Sequence, residues 1–154
     1  MYTICLQPMS NILSSMGTTD RLSKNARSEL MARVKSKDTQ PEKVVRILLS
    51  KMGFRYRLHR KDLPGSPDLV FPSRRKVIFV HGCFWHGHNC TAGRNRPSSN
   101  KQYWTAKLEK NKKRDKNNLQ SLAAIGWKSL IVWECKVKKT EYITELMKKY
   151  LNDK

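Results

Sequence analysis

A chain of 154 residues is long enough for one domain whose core needs neither disulfides nor metal simply to exist. Its 32 Lys+Arg against 12 Asp+Glu give a formal net charge of +20, a field that points to a polyanionic partner, nucleic acid first. Apolar runs of only a few residues exclude a membrane span, and four cysteines without a secretory signal point to a reducing, cytoplasmic setting where clustered Cys and His bind metal.

Residues 1–17 are mildly apolar, lack the layout of a signal peptide and read as a disordered leader, leaving 18–154 as a single domain. Over residues 20–35, Leu22, Ala26, Leu30 and Val34 recur every fourth position among Lys, Arg and Ser, which predicts a docking helix with a basic outer face. Thr39, Pro41 and Glu42 form a capping-box pattern, Val44, Val45, Leu48 and Met52 supply an apolar stripe, and Gly53 is placed to end that helix. Residues 54–58 alternate apolar and basic, as a half-buried strand does, with the arginines pointing outward. The Pro64-Gly65 turn leads into a short strand from Asp68, and a second turn at 72–75 leads into a more apolar strand over 76–80, a hairpin in the middle of a sheet.

Residues 91–100 read as a loop. Residues 101–125 read as a helix carrying the charge block 107–116 and closed by Gly126. A strand over 127–134 then delivers Cys135, and a last amphipathic helix, 140–152, uses Ile143, Leu146, Met147 and Tyr150 with Thr140 as its cap.

The densest chemistry lies between His81 and Cys90, which hold two cysteines, three histidines and the pair Phe84-Trp85. Cys83, His88 and Cys90 in one short loop, joined to distant Cys135, match the thiolate and imidazole set of a closed structural zinc site. Such a zinc braces the loop and does not catalyse, because no coordination position stays open for water. The competing reading makes Cys135 an ordinary buried strand cysteine. Asp68, at the mouth of one strand, and His81, at the end of the next, can meet at one sheet end. A carboxylate there is either a solvated turn residue or a ligand for Mg2+, while His81 and His86 are either structural imidazoles or working ones.

Ser23-Lys24-Asn25, the stretch from Leu63 through Asp68 to Val70, the segment from Val77 to Cys90, and Gly126 through Cys135 together resemble the very short patch repair endonucleases. That family has a restriction-endonuclease-like α/β fold, a mixed central sheet flanked by helices, and nicks DNA beside T:G mismatches left by deaminated 5-methylcytosine. The resemblance implies a monomeric endonuclease domain with its catalytic core over residues 38–136, linked in function to a cytosine-5 DNA methyltransferase. By it, Asp68 matches the Mg2+-binding aspartate, Val80 a position reaching the metal through its backbone carbonyl, and His86 the essential histidine beside the scissile phosphate. His81 matches a second active-site histidine, Glu42 an acidic residue near the metal-bound water, and Asp115 a residue that orients His86. Phe84 and Trp85 match aromatics inserted into the base stack at the mismatch, where a ring replaces stacking that a wobble pair has lost. Without the resemblance, one of these rings could equally pack behind the zinc loop. Lys24 and Asn25 fall in the DNA-docking segment.

The chain departs from the family at Ala26, where some members carry a larger apolar residue that enters the DNA from the opposite groove. Two other classes compete: a non-catalytic zinc-containing DNA-binding module, which does not need Asp68 and His86 together, and a restriction-type nuclease on matched duplex, which does not need the Phe84-Trp85 wedge.

Overall fold

The computed structural model describes residues 37–97 and 100–153, together with Glu29. The expected leader at 1–17 and the docking residues Lys24, Asn25 and Ala26 lie outside them, and of the expected helix at 20–35 only Glu29, helical and exposed, is described.

Helix α1 spans Gln40–Lys51 and begins as its sequence dictates. The Thr39 hydroxyl donates to Glu42 Oε1 at 2.7 Å and the Thr39 N–H to the same oxygen at 3.4 Å, closing the capping box. Gly53 takes a φ of +77°, the left-handed conformation that stops the helix and costs glycine little. The chain then enters a sheet of β1 (Arg57–Leu58), β2 (Leu69–Phe71), β3 (Lys76–His81) and β4 (Lys128–Trp133), in that spatial order. β1, β2 and β3 are antiparallel neighbours, while β4 joins β3 in parallel, with Lys76 opposite Lys128 and His81 opposite Trp133. A parallel partner needs a long crossover, here supplied by the one-turn α2 (Thr91–Arg94) and the long α3 (Lys101–Ala124).

Strand alternation sorts the apolar side chains into two layers. Leu69, Phe71, Ile78 and Val132 point to one face, where Val45 and Leu49 of α1, Val137 of α4 (Glu134–Val137), and Ile143, Met147 and Leu151 of α5 (Thr140–Asn152) cover them. Val70, Val77 and Phe79 point to the other, closed by Leu63 and by Leu122 of α3. The result is a mixed α/β fold, a four-stranded sheet with helices on both faces. The buried Lys76 ties sheet to α5 by donating to the carbonyls of Tyr150, at 2.8 Å, and Asp153, while the Tyr150 hydroxyl donates to Val77 O at 3.1 Å. No helix among the described residues is long and apolar enough to cross a membrane.

Four local expectations are corrected. The strand expected over 54–58 is a ladder of only Arg57 and Leu58: Phe54 and Tyr56 do turn inward, edge-on to Phe71, but His59 adopts a φ of +46° that ends the pleat. The loop expected at 91–100 contains helix α2, started by the Cys90 thiol accepting the Gly93 N–H at 3.3 Å. Cys135 lies in the first turn of α4 and not at a strand end, because β4 stops at Trp133. Thr140 is the first residue inside α5, and Lys139 holds the cap position.

Candidate active site and metal centre

β2 and β3 bring Asp68 and His81 to one end of the sheet, and the loop after β3 folds back so that His86 stacks on His81, with ring centroids 3.7 Å apart and planes at 11°. These residues line a cavity of about 510 Å³ with Lys37, His59, Phe79, Arg114 and Asp115. The Asp68 carboxylate accepts the Val80 N–H on Oδ2 at 2.7 Å, and its Oδ1 faces His59 Nδ1 at 3.9 Å. Burial pushes its pKa up to about 6 against the opposing pull of the Val80 N–H, and the charge of Glu42 adds to the rise. A half-buried carboxylate with a single short hydrogen bond from its own surroundings fits a divalent cation with a preference for oxygen ligands.

His86 is fixed by Asp115, whose Oδ2 lies 2.5 Å from Nδ1, so Nε2 is the nitrogen left for a substrate. Asp115 sits on α3 and also accepts from Arg114 at 3.2 Å. His81 is held neutral, its pKa lowered to about 4 first by burial and then by the neighbouring His86. Glu42 is buried, with every contact directed to the start of α1 or to Arg46, whose Nη2 lies 3.1 Å away.

Beyond this pair of imidazoles stands the thiol cluster. The ligand atoms of Cys83, His88, Cys90 and Cys135 all lie within 4.8 Å of one another, with Cys135 Sγ 3.6 Å from His88 Nδ1. The Cys135 N–H points at Cys83 Sγ at 3.4 Å, and the Gly93 N–H at Cys90 Sγ, as backbone donors do around thiolates. Burial raises the Cys83 and Cys135 thiols, whereas Cys90 is lowered to about 6: burial opposes that shift, but His88, the Gly93 N–H and Cys83 outweigh it. Three sulfurs and one imidazole converging in this way fit a tetrahedral metal of the zinc type. Gly93 is needed there, since a Cβ would collide with the His88 carbonyl oxygen. Trp133 joins the two centres, stacked on His88 at 4.3 Å and edge-on to His81 at 5.5 Å.

Phe84 is the packed ring of the aromatic pair, only 8% exposed, and Trp85 beside it is half-buried. Both meet Trp104 from the first turn of α3, at 5.4 and 6.1 Å, and the Asn111 amide donates to Trp85 O at 2.9 Å. The sequence reading did not single out Trp104, although an aromatic pair, Tyr103-Trp104, opening a basic helix is a visible signal. Nor did it single out His59, which could have been found by register: Arg57 opposes Val70 and Leu58 opposes Leu69, so the next step sets His59 opposite Asp68.

Comparison with known proteins fits this arrangement. A family model described as DNA mismatch endonuclease Vsr matches residues 19–92. A type II nicking enzyme of Xanthomonas oryzae pv. oryzae is 57% identical over 119 residues, which cover 77% of this chain and 87% of that one. A type II nicking enzyme of Neisseria meningitidis serogroup A is 40% identical over 135 residues, 88% of this chain and 96% of its own. The DNA mismatch endonuclease Vsr of Escherichia coli is 39% identical over 122 residues, 79% of this chain and 78% of its own. With identity of that order along most of each relative, the chain belongs to the DNA mismatch endonuclease Vsr family and is an endodeoxyribonuclease.

Proposed function

We propose that this endonuclease nicks one DNA strand on the 5′ side of the T in a T:G mismatch, with Mg2+, and so opens short-patch repair of deaminated 5-methylcytosine. The observation that carries the reading is the meeting of Asp68, His81 and His86 in one cavity flanked by the cations Lys37 and Arg114. Asp68 and the Val80 carbonyl would hold Mg2+, which supplies polarisation of the phosphodiester and a lower pKa for the attacking water. His86, steered by Asp115, meets the scissile phosphate through Nε2 and moves a proton or stabilises charge there. His81 backs that ring as a neutral imidazole, and Glu42, its oxygens engaged by Thr39, the Asp38 N–H and Arg46, acts on the metal side through its charge. Zinc held by Cys83, His88, Cys90 and Cys135 keeps the loop in register and does no chemistry. The restriction-endonuclease-like core extends over residues 38–136.

Trp85 is the accessible ring that tests base stacking, seated on packed Phe84 and on Trp104, and Lys24 and Asn25 belong to the segment that docks on the backbone. The mismatch reading is supported by that surface and by the name of the Escherichia coli relative. A monomer acting in the cytoplasm, on the nucleoid, beside a cytosine-5 DNA methyltransferase fits such a substrate. The test incubates T:G and matched duplexes with and without Mg2+, beside Asp68→Ala. Mg2+-dependent nicking of the T:G duplex alone, lost in the variant, is expected; cutting of matched DNA, or binding without nicking, overturns the reading.

A further inference from the structure

We propose that His59 is a positioning residue for the Asp68 carboxylate, and that Arg46, anchored by the buried Glu42, fixes which nitrogen of His59 faces it. The inference rests on the reading of Asp68 as the metal-holding carboxylate. Arg46 Nη2 lies 3.1 Å from His59 Nε2. A guanidinium only donates hydrogen bonds, so Nε2 accepts and the ring proton sits on Nδ1, the nitrogen that faces Asp68 Oδ1 at 3.9 Å. At 3.9 Å this is a close approach and not a hydrogen bond, one that a small movement of either side chain on metal binding would close. The main chain of His59 engages the same residue, its N–H donating to Asp68 O at 3.4 Å.

Two features make the arrangement specific. First, His59 is held at a φ of +46°, a conformation uncommon for a residue with a Cβ and retained where the surroundings over-determine it. Second, the Arg46 guanidinium is fixed from several directions, by Asp38 Oδ1 at 2.5 Å and Glu42 Oε2 at 3.1 Å besides His59, with the side chain only 15% exposed. Asp38, Glu42 and His59 stand close enough together to hold a cation themselves. The guanidinium among them already supplies that charge. Both Glu42 oxygens are engaged, Oε1 by Thr39 and Oε2 by the Asp38 N–H and Arg46, so Glu42 reaches the site through Arg46 and His59. Asp68 Oδ2 thus accepts the Val80 N–H, while Oδ1 has the His59 Nδ1–H facing it from 3.9 Å.

The experiment titrates Mn2+ calorimetrically into the full, zinc-loaded chain and, in parallel, measures T:G nicking against Mg2+ concentration. The variants are His59→Ala, His59→Phe, His59→Asn and Asp68→Ala, each checked for folding by its thermal transition. Whichever of His59→Ala and His59→Phe folds is expected to weaken Mn2+ binding and raise half-saturating Mg2+ by roughly 10-fold or more, the range seen for partners of metal ligands, with turnover at saturating Mg2+ changed less. His59→Asn keeps an N–H donor in place of Nδ1 and tolerates the left-handed backbone, so it should recover most of the loss. Wild-type metal binding without the ring nitrogens, or equal impairment in His59→Asn, overturns the proposal for His59 while Asp68→Ala still loses the ion. Retention of Mn2+ by Asp68→Ala overturns the underlying assignment of Asp68, a separate failure.

Discussion

At the scale of single residues, the site is organised by unequal treatment of groups that could have been equivalent. Asp68 is half-buried with one short N–H bond and is raised to about 6, while Asp115 is committed to a histidine. The linkage sign follows from that direction. A carboxyl whose folded-state pKa lies above its ordinary 3.8 lends stability at low pH, and that stability is lost as pH rises through about 6. Asp68→Asn, which can still accept the Val80 N–H, is therefore expected to abolish nicking yet make the Mg2+-free protein more stable above pH 6, by on the order of 2 kcal/mol. Urea unfolding at pH 5 and pH 7.5 checks this: the gain should appear at the higher pH and shrink at the lower, and an equal gain at both would exclude ionisation as its cause. For the imidazoles, His86→Ala removes the group proposed to serve the phosphate and should lower kcat by roughly 10²–10⁴-fold. Asp115→Asn should lower kcat less, with Mn2+ affinity unchanged, since Asp115 touches His86 and not Asp68.

At the scale of elements, the loop from β3 to α2 is a short irregular segment tied to its neighbours through the Cys83 and Cys90 sulfurs, which accept the Cys135 and Gly93 N–H groups. It carries buried Cys83 and Phe84 and is pinned to α4 by the Glu134 carboxylate accepting the Cys83 N–H at 3.2 Å. On the proposed zinc assignment, Cys135→Ala should lower the zinc content found by elemental analysis and loosen this loop and α4 together, seen as faster proteolysis between β3 and α3. The sheet and α5 should persist because α4 enters their core only through Val137. What was legible in advance follows the same division. The start of α1, its end at Gly53 and the four metal-type ligands were readable because each signal lies in adjacent residues or in a chemistry few other sites need. The two-residue β1, the one-turn α2 and the shift of Cys135 onto α4 were not. Each turns on one backbone conformation or one cap, His59 at +46° and Cys90 in place of a usual capping residue, for which composition carries no signal. The Arg46 and His59 contact escaped for another reason: it joins a helix to a strand end, and no spacing pattern marks such a pair.

At the scale of the whole molecule, a net charge of +20 explains attraction to DNA but not choice among duplexes, because phosphates look alike at every sequence. On the proposed reading, choice comes from Trp85, backed by Phe84 and Trp104, and α3 contributes to both tasks. Trp104 and Asn111 face the aromatic loop, Asp115 faces His86, and Lys110, Lys112, Lys113 and Lys116 are exposed on the same helix. Lys112 lies against Gly87, beside the active-site loop, its exposed ammonium 3.2 Å from Glu109 Oε1. The two contributions separate under salt, since each phosphate contact adds about 0.9 to the slope of log K against log salt, while an aromatic contact adds nothing to it. Lys112→Ala is therefore expected to weaken binding to T:G and matched duplexes alike and to reduce the magnitude of that slope by about 1. Trp85→Ala should leave the slope alone and erase the preference for the mismatch, with a loss of about 1–3 kcal/mol if the ring stacks on a base. Fluorescence anisotropy on both duplexes over a salt series measures the two quantities together. A Lys112 variant that changes discrimination, or a Trp85 variant that changes only the slope, would place recognition in the electrostatic field and leave the aromatic cluster as packing for the metal loop.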